Sequence, residues 1–272
     1  MQLETLNLKP NHITSRDNSL LRHARAVRDG KISTSIFVEG LRLCEEALRS
    51  GLTIEAVIYS EQLGKKDRAS EFIHELESVA EKAASISEKL LQSISYTKTP
   101  QGIIVLAQRP SLQAEDFGKQ QGYNALLVIL HRVNNPVNVG AILRTAEAAG
   151  ATGVIATAGT ADPFSPKALR GAMGAAFRLP IWAGADYGQA IDWCRQRGLR
   201  TVCADVDATR SYSDLDWRVP TAIVMGPESD GLSAEEIALS DEATRIPMKG
   251  STESLNVAVA AGILLYEASR YR

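Results

Sequence analysis

The run Ala125-Leu-Leu-Val-Ile-Leu130 has no polar position. A strand sends alternate side chains to opposite faces, so one that is apolar throughout must be covered on both. Thr221-Ala-Ile-Val-Met225 makes nearly the same demand. Between and after these runs, strand and helix patterns alternate. Val139 to Ala149 is a helix stopped by Gly150, Gly153 to Ala156 a strand, and Lys167 to Gly174 a helix. Leu179 to Trp182 is a short strand, Tyr187 to Gln196 a helix, Arg200 to Asp205 a strand, and Ala234 to Leu239 a short helix. Such alternation predicts an α/β domain with a parallel sheet under helices on both sides.

The preceding residues predict a smaller α/β domain. Ile13 to Lys31 opens with capping residues and closes on Gly30 as one helix. Ser35 to Leu41 runs from strand into turn, Leu41 to Ser50 is a helix, and Ile54 to Tyr59 is a strand. A charged helix is expected from Lys66 to Ala83, a short helix from Ser87 to Ile94, and a strand from Gly102 to Ala107. Ser111 to Gly122 has no apolar period and is read as a linker, dividing the chain into residues 1–110, 111–122 and 123–272. No internal repeat is visible.

Several function classes are disfavoured. Cys44, Cys194 and Cys203 are odd in number and far apart, and the four histidines are scattered, so neither disulfides nor a metal site is expected. No segment approaches the roughly 18 apolar residues of a membrane span, and Met1 to Asn7 lacks a signal-peptide pattern, so the expected location is cytoplasmic. The formal charge of -2 does not advertise nucleic acid, which leaves local patches to do so. One patch is Arg22, Arg25 and Arg28, which recur every third position on a helix face, with Arg16 and Lys31 at its ends. It is either a phosphate-tracking stripe or a solvated face.

Ligands of open parallel sheets bind beyond the carboxyl ends of the strands, and three polar loops are expected there. The first, His131 to Thr145, contains Asn138, read as a helix cap, and Arg144, read as a cation near a helix N-terminus, where an anion is favoured. Arg144 is either a phosphate ligand or the salt-bridge partner of Glu147 or Glu228. The second, Met225-Gly-Pro-Glu-Ser-Asp-Gly-Leu232, places Glu228 between Gly226 and Gly231. The third is Ile246-Pro-Met-Lys-Gly-Ser-Thr-Glu-Ser-Leu-Asn256, whose Ser251 to Ser254 could cap the helix that follows. That helix, small and apolar to Tyr266, is expected to pack on nearly every side.

The three loops resemble the motifs of the SpoU/TrmH family of RNA ribose 2′-O-methyltransferases. The resemblance spans 125–272 through Asn138-Val-Gly-Ala-Ile-Leu-Arg144, Val224-Met-Gly-Pro-Glu-Ser-Asp-Gly-Leu232 and Ile246 to Val257. Residues 13–107 are similar to that family's N-terminal RNA-binding module, a ribosomal-protein-like α/β fold, through Ile13-Thr-Ser-Arg-Asp-Asn18 and Phe37-Val-Glu-Gly-Leu-Arg42. The resemblance implies a trefoil knot, which ordinary connection rules would disfavour. It also implies S-adenosylmethionine as cofactor, a homodimer, and structured RNA as substrate, with ribosomal preferred to transfer RNA.

By the family's pattern, Gly226, Ile246 and Leu255 hold the cofactor through backbone, and Met225, Met248 and Val257 form apolar walls. Arg144 corresponds to the catalytic arginine; because a guanidinium stays protonated, phosphate positioning is preferred to a base role. Glu228 and Asn256 would orient Arg144 and the hydroxyl, Asn138 would shape its loop, and Ser254 would add a hydrogen bond. The arginine stripe gains weight as an RNA-docking surface, extended by Lys167, Arg170 and Arg178. Two other readings compete: a catalytically silent RNA-binding protein of the same fold, and a dinucleotide oxidoreductase, against which stands the absence of Gly-x-Gly-x-x-Gly after the early strands.

Overall fold

Leu21, Ala24 and Val27, spaced to share one helix face, pack in a core with Phe37, Ile58, Ile86 and Leu106 from a sheet in the first half of the chain. The computed structural model describes residues 11–65, 67–119 and 124–272. Residues 1–10 of the expected first domain, the Lys66 start of its charged helix and residues 120–122 of the expected linker lie outside the described residues. The chain forms two compact units: one runs to Arg109 and takes in Phe164–Phe177, and the other comprises Pro110–Pro163 and Arg178–Arg272.

The first unit contains β1 (Asn11–Ile13), α1 (Ser19–Arg28), β2 (Ser35–Glu39), α2 (Leu41–Arg49), β3 (Ile54–Ser60), α3 (Asp67–Val79), β4 (Lys82–Ile86), α4 (Glu88–Ile94) and β5 (Ile103–Gln108). Its sheet order is β1-β4-β3-β5-β2. Strands β1, β4 and β3 run parallel, and β5 is antiparallel to both its neighbours. The charged helix ends at Val79, short of the expected Ala83, and Lys82-Ala-Ala-Ser-Ile86 is a strand. These residues have little β propensity, so pairing with β3 decides their state. Three-residue β1 shows no readable period.

The second unit contains α5 (Ala114–Lys119), β6 (Leu126–Leu130), α6 (Pro136–Ala148) and β7 (Gly153–Thr157). After α7 (Pro166–Ala172), which falls in the first unit beside β2, and α8 (Ala175–Arg178), the chain continues with β8 (Ile181–Ala185), α9 (Tyr187–Gln196) and β9 (Arg200–Ala204). It ends with β10 (Thr221–Met225), α10 (Ala234–Leu239), β11 (Glu242–Thr244) and α11 (Val257–Ser269). All six strands are parallel, in the order β11-β9-β10-β6-β7-β8. The two apolar runs are the central pair, β10 and β6, buried at every position.

Within the expected linker, α5 buries Phe117 completely, with its ring 6.3 Å from that of Trp182 and 5.3 Å from that of Trp193. Trp193 Nε1 donates to the Ala114 carbonyl at 3.1 Å. One anchor residue gives no period, and its partners lie 65 or more positions away. The caps also differ from expectation. Asn135, not Asn138, caps α6, and Asn256, not the Ser251–Ser254 run, caps α11. Helix α11 is not packed all round: Val259 is 51% exposed and Tyr266 53%, with Ile263 half-buried between them.

Candidate active site

Strands β6 and β10 pair in register from Thr221 opposite Leu126 to Met225 opposite Leu130, so their C-terminal loops start side by side. The ladder extends one step further, His131 N–H donating to Met225 O at 2.9 Å. The third loop, 246–256, arrives with α11, which packs on α6. The two helices come close at Gly262, where a Cβ would make ordinary contact with Thr145 Cγ2 at 3.5 Å.

A hydrogen-bonded chain joins the three loops. Asn138 Nδ2 donates to Glu228 Oε1 at 2.9 Å, and Asn256 Nδ2 donates to Asn138 Oδ1 at 3.2 Å. The other Glu228 oxygen accepts from Asn134 N–H at 3.3 Å, while Asn256 Oδ1 caps α11 through Ala258 N–H at 3.0 Å. Asn138 is buried between the two, with both ends of its amide used. A charge-assisted bond on one side and a helix cap on the other fix its orientation.

Arg144 departs from expectation. It is the ninth residue of α6, about 12 Å along the axis from the N-terminus, too far for the helix dipole to govern it. It is exposed, and among the described residues it makes no hydrogen bond or ion pair. Its proposed acidic partners are engaged elsewhere: Glu147 with Arg178 and Glu228 with Asn138. Ser254 is likewise exposed and makes no hydrogen bond among the described residues. The chain thus unites Asn138, Glu228 and Asn256, with Arg144 and Ser254 outside it.

A second clamp escaped the sequence reading. Glu236 accepts from His131 Nε2 at 3.0 Å, from Arg132 Nη2 at 2.8 Å and from Ser233 N–H at 2.8 Å. The His131 ring is bonded to Thr157 Oγ1 at 2.8 Å and stacks on Tyr187 at 4.2 Å. Burial works against the charged form of Glu236, but the Ser233 N–H and His131 outweigh it and hold the carboxyl below its ordinary range. The first loop is therefore held twice, by Glu228 of the second loop and by Glu236 of α10. The Ser233-x-x-Glu236 capping box was a readable signal.

Between these ties the backbone is unoccupied by bonds to other elements. Among the described residues, no backbone N–H or C=O of 246–255 takes part in a hydrogen bond, and those of 226–232 make none outside their own turn. Met225 is buried and Ile246, Met248 and Leu255 are half-buried, giving apolar walls beside free backbone groups. Gly226 is required by the turn, because a Cβ there would sit 2.8 Å from Leu232 Cγ and 3.2 Å from Leu232 N. This combination fits a ligand with a flat ring to lie against apolar walls and hydrogen-bonding edges to meet backbone groups, as the adenine of S-adenosylmethionine offers.

Burial raises the thiols of Cys194 and Cys203 to about 12 and about 11, and that of Cys44 further, so none is a thiolate nucleophile near neutral pH. Among the described residues, no group of three His, Cys, Asp or Glu is placed to hold a metal.

In the first unit, Arg16, Arg22 and Lys31 are exposed, as are Lys167 and Arg170 on α7. Arg25 and Arg28 are partly spent within the fold. Arg25 Nη2 donates to Arg16 O at 2.8 Å, and Arg28 bonds Asp29 at 2.8 Å and Ser95 O at 3.2 Å. Arg178, expected to extend the surface, is paired with Glu147.

Comparison with known proteins shows the family to which this fold belongs. Residues 125–266 match the SpoU rRNA methylase family, and residues 22–105 match the MRM3-like substrate binding domain. An uncharacterized tRNA/rRNA methyltransferase of Synechocystis is 30% identical, covering 95% of this chain and 93% of the relative. The 23S rRNA (guanosine-2′-O-)-methyltransferase RlmB of Bordetella pertussis is 34% identical, covering 79% and 89%. An AdoMet-bound rRNA methyltransferase from Sinorhizobium meliloti superposes with a TM-score of 0.82 at 30% identity, covering 96% of this chain and 98% of that one. Fold and site together define an S-adenosylmethionine-dependent RNA methyltransferase with an appended substrate-binding domain. Within that class, the chain belongs to the SpoU rRNA methylase family.

Proposed function

We propose that this protein methylates a ribose 2′-hydroxyl in structured ribosomal RNA, using S-adenosylmethionine. The observation that carries the reading is the Glu228–Asn138–Asn256 chain, which binds the loops after β6 and β10 to the loop before α11. The cofactor supplies a methyl group already activated by its sulfonium charge. The protein must therefore hold the hydroxyl in line and keep its lone pair available.

Backbone groups of Gly226, Ile246 and Leu255, with the side chains of Met225, Met248 and Val257, would hold the cofactor in the trefoil knot that family membership implies. Asn256 and Ser254, beside the end of the third loop, orient the hydroxyl, and Asn138 and Glu228 keep that loop in place. Arg144 acts on the substrate rather than on Glu228: its free, permanently charged guanidinium suits an RNA phosphate. Exposed Arg16, Arg22, Lys31 and Arg170, with the partly engaged Arg25 and Arg28, contribute to RNA docking, so that residues 1–110 bind and 123–272 react.

The homodimer that the family resemblance implies is supported by the Val259–Ile263–Tyr266 stripe on α11, an apolar row with exposed ends and a half-buried centre that a second copy would cover. The expected site of action is the cytoplasm; among the described residues no helix is long and apolar enough to cross a membrane.

The test is transfer of labelled methyl from S-adenosylmethionine to total RNA of a strain lacking this gene, followed by nucleoside digestion. Label in a 2′-O-methyl nucleoside of ribosomal RNA is expected, and label on a base overturns the reaction. Arg144→Ala should keep cofactor binding while losing most turnover.

A further inference from the structure

We propose that the loop Ser95–Gln101 of the first unit is a preformed docking platform for unpaired RNA, with Tyr96 stacking on a base and Lys98 and Arg42 contacting phosphates. The proposal rests on the RNA-methyltransferase reading and deepens it by placing a substrate contact.

An irregular loop of this length is ordinarily loose, because ordering it costs conformational entropy. This one is pinned by side chains from several elements. Glu39, a buried carboxylate at the end of β2, accepts from Tyr96 N–H at 2.8 Å, Thr97 N–H at 3.2 Å and Thr97 Oγ1 at 2.6 Å. Gln92 Nε2 donates to Lys98 O at 2.9 Å, and Arg28 Nη1 donates to Ser95 O at 3.2 Å. The far end is closed by Gln101 Oε1, which accepts from Leu41 N–H at 3.1 Å and brings the first turn of α2 alongside. That approach needs glycine at position 40, which has φ +102 and where a Cβ would meet Gln101 Oε1 at 2.8 Å.

The outward side shows what this rigidity serves. Tyr96 is 44% exposed, and its hydroxyl has no hydrogen-bond partner among the described residues. Lys98 and Arg42 are exposed and have no carboxylate within 4 Å among the described residues. Of the acids near the loop, Asp29 is paired with Arg28 at 2.8 Å and Glu46 with Arg49 at 3.7 Å, while the buried Glu39 is turned inward onto the loop backbone. An exposed aromatic ring on a backbone-pinned loop, with exposed cations on the same loop and on the first turn of α2, suits a strand whose bases are unstacked and whose backbone is anionic. Because the loop is already ordered, binding does not bear that cost again.

The test uses the full-length protein and unmodified 23S ribosomal RNA transcribed in vitro. Tyr96→Ala should raise the Kd for this RNA about 5- to 150-fold, the range for losing one stacked base, and Tyr96→Phe should restore it. Lys98→Ala should reduce the slope of log K against log salt by about 0.7. Cofactor Kd, and kcat at saturating RNA, should stay unchanged in all three variants. Wild-type affinity and salt slope in both alanine variants would overturn the proposal, as would a loss of kcat at saturating RNA. Should Tyr96→Ala not fold, Lys98→Ala at its exposed site remains decisive. Failure of the wild-type protein to methylate any RNA would instead strike the methyltransferase reading, and the two failures are told apart by the binding curve.

Discussion

Asn138→Asp replaces one nitrogen by oxygen and leaves the side-chain shape unchanged, yet it should break the chain that joins the three loops. In place of the amide donor, a second carboxylate would face Glu228 Oε1 across the present 2.9 Å. Two unit charges that close repel by about 1.4 kcal/mol at the dielectric of water and by several kcal/mol at an effective value near 20. Glu228 is exposed, so the lower end applies, and the lost bond to a charged group adds about 1.5 kcal/mol. A total near 3 kcal/mol displaces the loop at neutral pH and should lower kcat by roughly 100-fold if loop position limits the reaction.

The sign with pH follows from the pair. Two carboxylates in contact share a proton, which raises one titration above the ordinary value of about 3.9. Below that raised value the protonated carboxyl introduced at position 138 donates to Glu228 and the chain re-forms; as pH rises through it, the stabilisation is lost. Methyl transfer at saturating cofactor and RNA, measured from pH 5 to 8.5 and divided by the wild-type rate, should therefore recover toward the acid end. Asn138→Ala has no proton to regain and should give a flat ratio. A flat ratio for Asn138→Asp would refute the argument that this hydrogen bond positions the site.

Glu236 is held below its ordinary range, so its contribution is present above the unfolded value of about 4.3 and lost as pH falls through the folded one. Chemical denaturation should show wild-type stability dropping below about pH 4.5, with the drop smaller in Glu236→Gln. Gly226→Ala would force its Cβ to within 2.8 Å of Leu232 Cγ, and calorimetry should find cofactor affinity reduced at least tenfold with the melting temperature nearly unchanged. Phe117→Ala empties a fully buried ring site between Trp182 and Trp193 and should cost about 3–5 kcal/mol in denaturant titration. A loss below 1 kcal/mol would mean that α5 is not part of the fold's core.

The parallel sheet was legible because each of its central strands declares its environment locally: Leu126–Leu130 cannot tolerate a wet face, whatever its neighbours are. The three loops were legible for a related reason, since glycine, asparagine and short polar residues concentrate where backbone must bend at strand ends. Family resemblance then supplied cofactor and reaction, which periodicity cannot. What stayed hidden depended on residues distant in the chain. Lys82–Ile86 becomes a strand because β1 and β3 receive it, and α5 exists because two tryptophans meet Phe117.

The site divides in the same way. Sequence alone selected Asn138, Glu228 and Asn256 as polar residues worth explaining, because each stands in a loop or beside a helix start. Only the tertiary structure decided that they bond to one another, across separations of 90 and 118 residues, and that Arg144 is left out of the chain. A hydrogen bond needs its partners within about 3 Å and suitably aligned, a condition set by how α6, β10 and α11 pack. Residue type announces the capacity for such a bond, and the folded arrangement of those three elements determines where it is used.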